Sequence, residues 1–140
     1  MKGYLFVYGT LMNGCRNHDA YLKGRYISRK SAITKGKLYN LINCGCPALM
    51  RGDESVRGEL YELENFEETI KKTDLLENYD PENIYDSQYI RTKIKVTVED
   101  NLEVKADAYL YHITDIDNFL DNYHLIEDGF WKDLTHKGNV

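Results

Sequence analysis

Two stretches of the chain carry residues that could do chemistry together. The first is FVYGTLMNG, residues 6–14, in which an apolar run ends at Gly9 and Thr10. Because Gly9 has no side chain, a ligand can approach the backbone closely there. Backbone N–H groups left unpaired at a strand end can converge on an anion or on a developing oxyanion. Taken alone, the same residues are also typical of a plain strand-to-loop turn. No Gly-Lys-Ser/Thr sequence follows, which argues against a phosphate-binding loop.

The second stretch is an amphipathic segment, residues 65–78, that the sequence predicts to be helical. With 100° per residue and Phe66 at zero, Ile70 lies at about 40° and Glu77 at about 20°, so a carboxyl group shares the apolar face. Glu77 then has two interpretations. It can be a structural acid that pairs with an arginine or with backbone N–H groups. It can also be a carboxyl group in a partly apolar pocket, where desolvation raises its pKa and makes it a proton shuttle near neutral pH.

Strands dominate the elements that must position these residues. Period-two patterns and short apolar runs predict strands over residues 4–8, 35–41 and 56–63, with a hairpin turn at MRGDES, residues 50–55. A short helix is predicted over residues 17–23, with Asn17 as its cap.

A second hairpin is the clearest element of the chain. Its turn is predicted at Asp100 and Asn101. The residues that share one face of its two strands are Ile90, Thr92, Ile94, Val96 and Val98, then Val104, Ala106, Ala108 and Leu110. Five or six strands with few helices indicate a small, partly closed barrel or a curled sheet.

Length and charge set the class of protein. The 140 residues suit one domain, and 42% hydrophobic with 29% charged residues is typical of a water-soluble globular protein. A net charge of −5 disfavours nucleic acid as the partner, and no apolar run approaches a membrane span. The short apolar start is no signal peptide, so a cytoplasmic location is expected. We expect a single domain over residues 1–140, with residues 131–140 as a loose tail.

The three cysteines are Cys15, Cys44 and Cys46. Their odd number, without an export signal, predicts no disulfide framework. Cys44 and Cys46 could supply two metal ligands with Cys15 as a third, but no Cys-x-x-Cys or His-x-x-x-His spacing supports zinc. We therefore interpret them as small, partly buried thiols near a turn and predict no metal.

An ordered series of segments resembles the gamma-glutamylcyclotransferase-like family, of the gamma-glutamylamine cyclotransferase type. It spans about residues 2–131 and comprises FVYGTLMNG, GKLYNL, CPALM, VRGELYEL, TDLLENYD, YIRTKIKV, ADAYLY and DGFW. The resemblance implies an α+β fold, a small mixed and mostly antiparallel β-barrel with flanking helices. It also implies that the α-amino group of a gamma-glutamyl compound attacks that compound's own γ-carbonyl. The products are 5-oxoproline and a free amine or amino acid, and no metal or organic cofactor takes part.

The resemblance also assigns site residues. The family's catalytic glutamate maps onto Glu77, in a motif usually written Leu-Asp-x-x-Glu that here begins with Thr73 instead of leucine. The family's substrate loop maps onto Tyr8, Gly9, Thr10 and Leu11, whose backbone N–H groups are expected to bind the substrate's carboxylate or γ-oxygen.

Other residues remain candidates with two interpretations each. Tyr8, Tyr79 and Tyr89 are candidates for pocket walls or for ordinary sheet surface. Arg91 could meet a carboxylate or stand in solvent.

Two alternatives to an enzyme remain at this point. One is a non-catalytic module that binds a small molecule or a partner on the same barrel, and the other is a barrel that binds a protein or an oligonucleotide. The partner we expect is a small gamma-glutamyl substrate, bound by a monomer or a weak homodimer. Specificity for the leaving group is expected in residues 77–89 and in the C-terminal tail.

Overall fold

The barrel consists of five strands, and a computed structural model describes residues 1–133 of the chain. The strands are β1 (Gly3–Val7), β2 (Tyr26–Leu41), β3 (Cys46–Leu63), β4 (Tyr89–Thr97) and β5 (Glu103–Tyr111). Their order is β3-β1-β5-β4-β2, and β2 also pairs with β3, which closes the barrel. Only β1 and β5 are parallel among these pairs in the described residues. The predicted fold, a small mixed and mostly antiparallel barrel, is confirmed.

Three α-helices and a short sixth strand flank the barrel in the described residues. They are α1 (His18–Tyr21), α2 (Phe66–Leu76), α3 (Ile116–Leu120) and β6 (Tyr123–Leu125), and β6 pairs with β2. Single 3₁₀ turns lie at Ile84–Asp86 and Glu99–Asn101. None of the helices in residues 1–133 is long and apolar enough to cross a membrane.

The two predicted helices exist but are shorter than expected. Asn65 caps α2, because its side chain accepts a hydrogen bond from the N–H of Glu68 at 3.3 Å. Asn17 precedes α1 but does not cap it, since its side chain donates to the Thr10 hydroxyl at 3.0 Å. Asn17 therefore stabilises the loop after β1 rather than the helix.

The second hairpin agrees with the sequence pattern. β4 and β5 pair with Ile90 opposite Leu110, and Val96 opposite Val104. The connection contains Asp100 and Asn101, which have positive φ angles of 62° and 58°. Aspartate and asparagine tolerate this conformation better than most residues, so these residue types indicate the turn in the sequence.

The predicted hairpin turn at residues 50–55 is wrong. β3 runs through this segment without interruption, and the connection between β2 and β3 lies at residues 42–45. The pairing of Gly36 with Glu54 is followed by that of Lys37 with Met50, so β3 carries extra residues there. The glycine and charged residues that suggested a turn accommodate a bulge, which bends a long strand around the barrel.

The core consists of a large cluster inside the barrel and under α2, and of a small second cluster of Leu41, Ala48 and Phe119. Its completely buried members include Leu5, Phe6, Tyr61 and Leu63. The chain after β6 also packs on the barrel, because Trp131 is buried and its indole N–H donates to Asn40 at 3.1 Å. Since Asp133 is buried as well, the expectation of a loose tail from residue 131 is wrong for residues 131–133. Residues 134–140 lie outside the described part of the chain.

The cysteines differ from the expectation in one respect. Cys44 and Cys46 form a disulfide next to the β2–β3 connection, so the interpretation of both as free thiols is wrong. Only Gly45 separates them, and this proximity on a tight turn brings the sulfur atoms together. Cys15 is a free, buried thiol whose pKa burial raises to about 11.

Candidate active site

A cavity of about 160 Å³ lies where the end of β1, the end of α2 and the start of β4 meet. Six of the residues predicted for the site line it, namely Tyr8, Gly9, Thr10, Leu11, Glu77 and Tyr89. The cavity is smaller than the roughly 300–1,000 Å³ of pockets for drug-sized ligands. It therefore suits a group of about the size of one amino acid.

The loop after β1 presents its backbone to this cavity. Its carbonyl groups are occupied, because Met12 N–H donates to Gly9 O at 3.0 Å and Asn17 N–H donates to Thr10 O at 2.9 Å. The Leu11 carbonyl lies 3.0 Å from Nδ1 of His18. Within residues 1–133, the N–H groups of Gly9, Thr10 and Leu11 donate no hydrogen bond. Three donors at the cavity are thus left for a ligand.

Gly9 is required by close packing. A Cβ atom at this position would lie 2.1 Å from Cγ of Pro47, a separation that real Cβ atoms do not reach. The backbone of Gly9 therefore packs directly against the Pro47 ring, and this contact fixes the position of the loop relative to Pro47 at the cavity wall. The sequence indicated the need for glycine, although the expected reason was access of a ligand.

Glu77 follows the last residue of α2 and lines the cavity. The helix ends in a Schellman motif, in which Tyr79 N–H donates to Asp74 O at 2.9 Å and Asn78 N–H donates to Leu75 O at 3.2 Å. Asn78 adopts the left-handed conformation that this motif requires, with φ at 53°. The turn thus holds Glu77 at the edge of the barrel.

The electrostatics of Glu77 come from burial. Desolvation raises the pKa of its carboxyl group from 4.5 to about 7. Within residues 1–133, no hydrogen bond or ion pair to this carboxyl group is formed. The interpretation of Glu77 as a paired structural acid thus finds no partner in that part of the chain. A carboxyl group of this kind can gain and lose a proton near neutral pH.

Two tyrosines form walls of the cavity. The Tyr8 hydroxyl donates to Tyr109 O at 2.6 Å, and the Tyr89 hydroxyl donates to Pro47 O at 2.6 Å. Burial, together with the neighbouring Glu77 charge, raises the pKa of both phenols. Because both are neutral and their protons are donated to backbone carbonyls, they form walls of the cavity.

Two other candidates lie elsewhere. Tyr79 does not reach the cavity and is half-buried beside Arg91, whose guanidinium carbon lies 5.7 Å from the Tyr79 ring centre. Arg91 forms ion pairs with Asp74 at 2.9 Å and with Asp107 at 2.5 Å. Of the two interpretations of Arg91, a carboxylate partner or exposure to solvent, the structure shows the first. Both carboxylates are side chains of the protein.

Several lining residues were missed from the sequence. Arg16, Asn17, Gln88 and Tyr109 add polar groups to the cavity. Arg16 is held by Asp133, at 3.4 Å between Nε and Oδ2, and donates to Gly45 O at 2.5 Å. These residues come from three separate segments, and only the closed barrel brings them together. A polar residue next to the YGTL loop, such as Arg16, was the one signal available.

Among residues 1–133, the cavity is lined by one carboxyl group, that of Glu77, and by one cysteine, Cys46, which is in the disulfide. Within residues 1–133, no group of three or more histidine, cysteine, aspartate or glutamate residues could hold a metal ion.

Comparison with known proteins agrees with the geometry. Residues 5–133 match the model of the family described as gamma-glutamyl cyclotransferase, AIG2-like. The gamma-L-glutamyl-butirosin B gamma-glutamyl cyclotransferase of Niallia circulans is 42% identical over 86 residues, which are 59% of this chain and 53% of that protein. The chain thus aligns with about half of the length of this relative.

Two further proteins are similar over more of their length. A provisionally named gamma-glutamylcyclotransferase of Methanocaldococcus jannaschii is 31% identical over 112 residues, 77% of this chain and 83% of that protein. The crystal structure of an AIG2-like protein from Mus musculus superposes with a TM-score of 0.72 at 25% identity, covering 94% of this chain and 88% of the mouse chain. The chain therefore belongs to the gamma-glutamyl cyclotransferase, AIG2-like family, and this membership supports a cyclotransferase enzyme.

Proposed function

We propose that the protein releases 5-oxoproline from a small gamma-glutamyl compound, with Glu77 as the proton shuttle. The observation that carries the proposal is made in residues 1–133, where one small cavity is lined by a carboxyl group without a partner and by residues whose backbone N–H groups have no acceptor. The first can move a proton, and the second can bind an anion.

The reaction needs one shuttle and one anion site. The neutral α-amino nitrogen of the substrate attacks the γ-carbonyl carbon, and the carbonyl oxygen becomes an oxyanion. Glu77 takes a proton from the attacking nitrogen and gives it to the leaving amide nitrogen. The C–N bond to the leaving group then breaks, which releases 5-oxoproline and a free amine. Because nucleophile and electrophile are in one molecule, holding that molecule folded accelerates the reaction strongly.

The loop supplies the anion site. The N–H groups of Gly9, Thr10 and Leu11 bind the substrate's carboxylate or its developing oxyanion, through charge-assisted hydrogen bonds. Tyr8 and Tyr89 bound the space in which the glutamyl group folds. A cavity of about 160 Å³ holds the glutamyl half and leaves the departing group at its mouth.

The substrate class follows from the placement of the glutamyl half inside the cavity and of the leaving group at its mouth. The cavity recognises the glutamyl half, so gamma-glutamyl amino acids and gamma-glutamyl amines are both candidates. The relative from Niallia circulans carries gamma-L-glutamyl-butirosin B in its name, so that relative is named for one particular gamma-glutamyl compound. For this chain we propose a small gamma-glutamyl compound as the partner, bound in the cytoplasm by a monomer or a weak homodimer.

The test is a substrate panel with 5-oxoproline as the readout. The protein is incubated with gamma-glutamyl dipeptides and gamma-glutamyl amines, and the matched controls are the α-glutamyl isomers, whose amide lies at the wrong carbon. We expect 5-oxoproline from at least one gamma-linked compound and none from the α-linked isomers. Binding of a gamma-glutamyl compound without release of 5-oxoproline would identify the protein as a non-catalytic binding module instead.

A further inference from the structure

We propose that Asp74 is a positioning residue that anchors the end of α2 to the barrel and so places Glu77 in the cavity. This inference rests on the proposed function, in which Glu77 moves the proton. Asp74 does not line the cavity, so its action on the reaction runs through Glu77.

Asp74 and Glu77 occupy the same side of one helical turn. Residues three apart in a helix are neighbours on its surface. The backbone N–H of Glu77 donates to Thr73 O at 2.9 Å, and Asp74 O accepts the N–H of Tyr79 at 2.9 Å. The backbone of residue 74 therefore belongs to the turn that ends the helix, and a shift of Asp74 displaces Glu77.

The Asp74 side chain connects this turn to two strands of the barrel. Its Oδ1 accepts hydrogen bonds from Arg91 Nε at 2.9 Å and from the Tyr109 hydroxyl at 2.6 Å, and its Oδ2 lies 3.4 Å from Arg91 Nη2. The carboxylate and guanidinium groups face each other with two contacts, the geometry that gives such pairs their directionality. Their side chains are only 16% and 25% exposed, so solvent screens the pair weakly.

Tyr109 extends this anchor to the other half of the site. Its hydroxyl also lies 2.7 Å from Thr73 Oγ1, and its carbonyl accepts the Tyr8 hydroxyl at 2.6 Å. One residue of β5 therefore touches the end of α2 on one side and the beginning of the substrate loop on the other. The distance between Glu77 and the loop is fixed through these contacts.

The chain offers a matched control in Asp107. Its side chain is 5% exposed and pairs with Arg91 Nη1 at 2.5 Å and Lys93 Nζ at 2.6 Å. It belongs to the same cluster of charges, but both of these partners are on β4. Loss of Asp107 disturbs the wall of the barrel, whereas loss of Asp74 releases the end of the helix.

The experiment compares Asp74→Asn and Asp107→Asn with the unchanged protein. For Asp74→Asn we expect kcat to fall by about 10- to 100-fold while KM changes by less than about threefold, because misplacement of a reacting group by about 1 Å has effects of this size. For Asp107→Asn we expect a lower melting temperature and a kcat within about twofold of the unchanged protein, because the contacts of Asp74 with Arg91 and Tyr109 remain in that variant. Asp74→Glu, which keeps the charge, should recover part of kcat.

A second readout needs no turnover. The carboxyl group of Glu77 can be titrated by carbon NMR and assigned with Glu77→Gln. The other titratable side chains that line the cavity are the same in both aspartate variants, so they do not account for a difference in the Glu77 titration. They are Tyr8, Tyr89, Tyr109 and Arg16. In Asp74→Asn we expect the titration midpoint to move toward that of free glutamate, about 4.3, as the group becomes hydrated. In Asp107→Asn it should stay in place.

Two results would overturn the positioning role. One is a loss of kcat that follows the loss of thermal stability equally in both variants, which is the behaviour of a merely structural residue. The other is an unchanged Glu77 midpoint in Asp74→Asn. If Asp74→Asn does not fold, Tyr109→Phe removes the hydroxyl bridge between Asp74 and Thr73 and must show the same direction. If the unchanged protein releases no 5-oxoproline, the proposed function fails, and the NMR titration still decides whether Asp74 positions Glu77.

Discussion

The loop at residues 8–11 and the end of α2 face each other across one cavity, yet they present different parts of the chain. Within residues 1–133, the N–H groups of Gly9, Thr10 and Leu11 donate no hydrogen bond, whereas the carbonyl groups of these three residues have partners elsewhere. The helix end contributes the carboxyl group of Glu77, beside Leu76, and is held by backbone turns and by the ion pair of Asp74 with Arg91. The two halves of the site should therefore tolerate opposite changes, because side-chain chemistry matters at the helix end and backbone position matters in the loop.

Glu77→Gln tests the helix half and has the largest expected effect. Glutamine keeps almost the same shape, but its amide cannot take a proton from an amine at neutral pH. General acid–base catalysis is worth roughly 10²- to 10⁴-fold, so kcat should fall by at least that range. The measurement is the rate of 5-oxoproline release, and Glu68→Gln on the exposed start of α2 is the control. Turnover that survives in Glu77→Gln while the protein is folded would show that the mechanism is wrong.

Gly9→Ala tests the loop half. The new Cβ would lie 2.1 Å from Pro47 Cγ, so the loop must move away from the proline ring. We expect kcat/KM to fall by about 10- to 100-fold, since the N–H groups would no longer meet the substrate. The double variant Gly9→Ala/Pro47→Ala removes the ring atoms and leaves Cβ at 3.4 Å, an ordinary contact. It should recover part of the loss, and no recovery would contradict the packing argument.

The pH dependence of kcat and KM distinguishes the helix end, where Glu77 titrates, from the loop, whose backbone N–H groups do not titrate. Glu77 must be ionised to accept a proton, and its pKa is raised to about 7. Lowering the pH from about 8 to about 6 should therefore reduce kcat by about tenfold, with a smaller change in KM, because the backbone N–H groups keep their protons throughout. A kcat that is flat down to about pH 5 would show that Glu77 titrates like a hydrated glutamate.

The raised pKa of Glu77 also predicts that stability falls as the pH rises, whereas kcat increases. The folded protein binds the Glu77 proton more tightly than the unfolded chain does, so the free energy of unfolding falls as the pH rises from about 4.5 to about 7. With 1.36 kcal/mol per pKa unit, the loss amounts to at most about 3 kcal/mol at pH 8. Glu77→Gln cannot ionise, so it should unfold at a higher temperature than the unchanged protein at pH 8.

The sequence predicted the parts of the fold that depend on local pattern. The β4–β5 hairpin was legible because its apolar period and its Asp100-Asn101 turn agree. Glu77 was found because a charged residue broke the apolar face of a helix. The β2–β3 hairpin was misplaced because a bulge and a turn use the same residue types, and only the register with the neighbouring strand distinguishes them.

The remaining parts of the site depend on contacts distant in sequence. Nothing near Arg91 in sequence indicates that Asp74 and Asp107 take up its charge. Arg16 likewise depends on Asp133 and Gly45, and Gly9 depends on Pro47. Asp74 contacts Arg91 and Tyr109 and is therefore a poor control for Glu77, whereas the exposed Glu68 is a suitable one.

Asn78 gives the smallest expected effect and tests how the helix half is built. Its φ of 53° lies in the left-handed region, where glycine and asparagine are tolerated and a residue with an ordinary Cβ is strained. Asn78→Ala should lower the free energy of unfolding by about 1 kcal/mol, whereas Asn78→Gly should change it by less than about 0.5 kcal/mol.

Because Asn78 N–H donates to Leu75 O from the backbone, the Schellman motif survives in both variants. Chemical denaturation measures the two differences, and kcat in Asn78→Gly should stay within about twofold of the unchanged protein. If alanine and glycine proved equal in stability, the left-handed turn would not hold the helix end, and the position of Glu77 would rest on Asp74 alone.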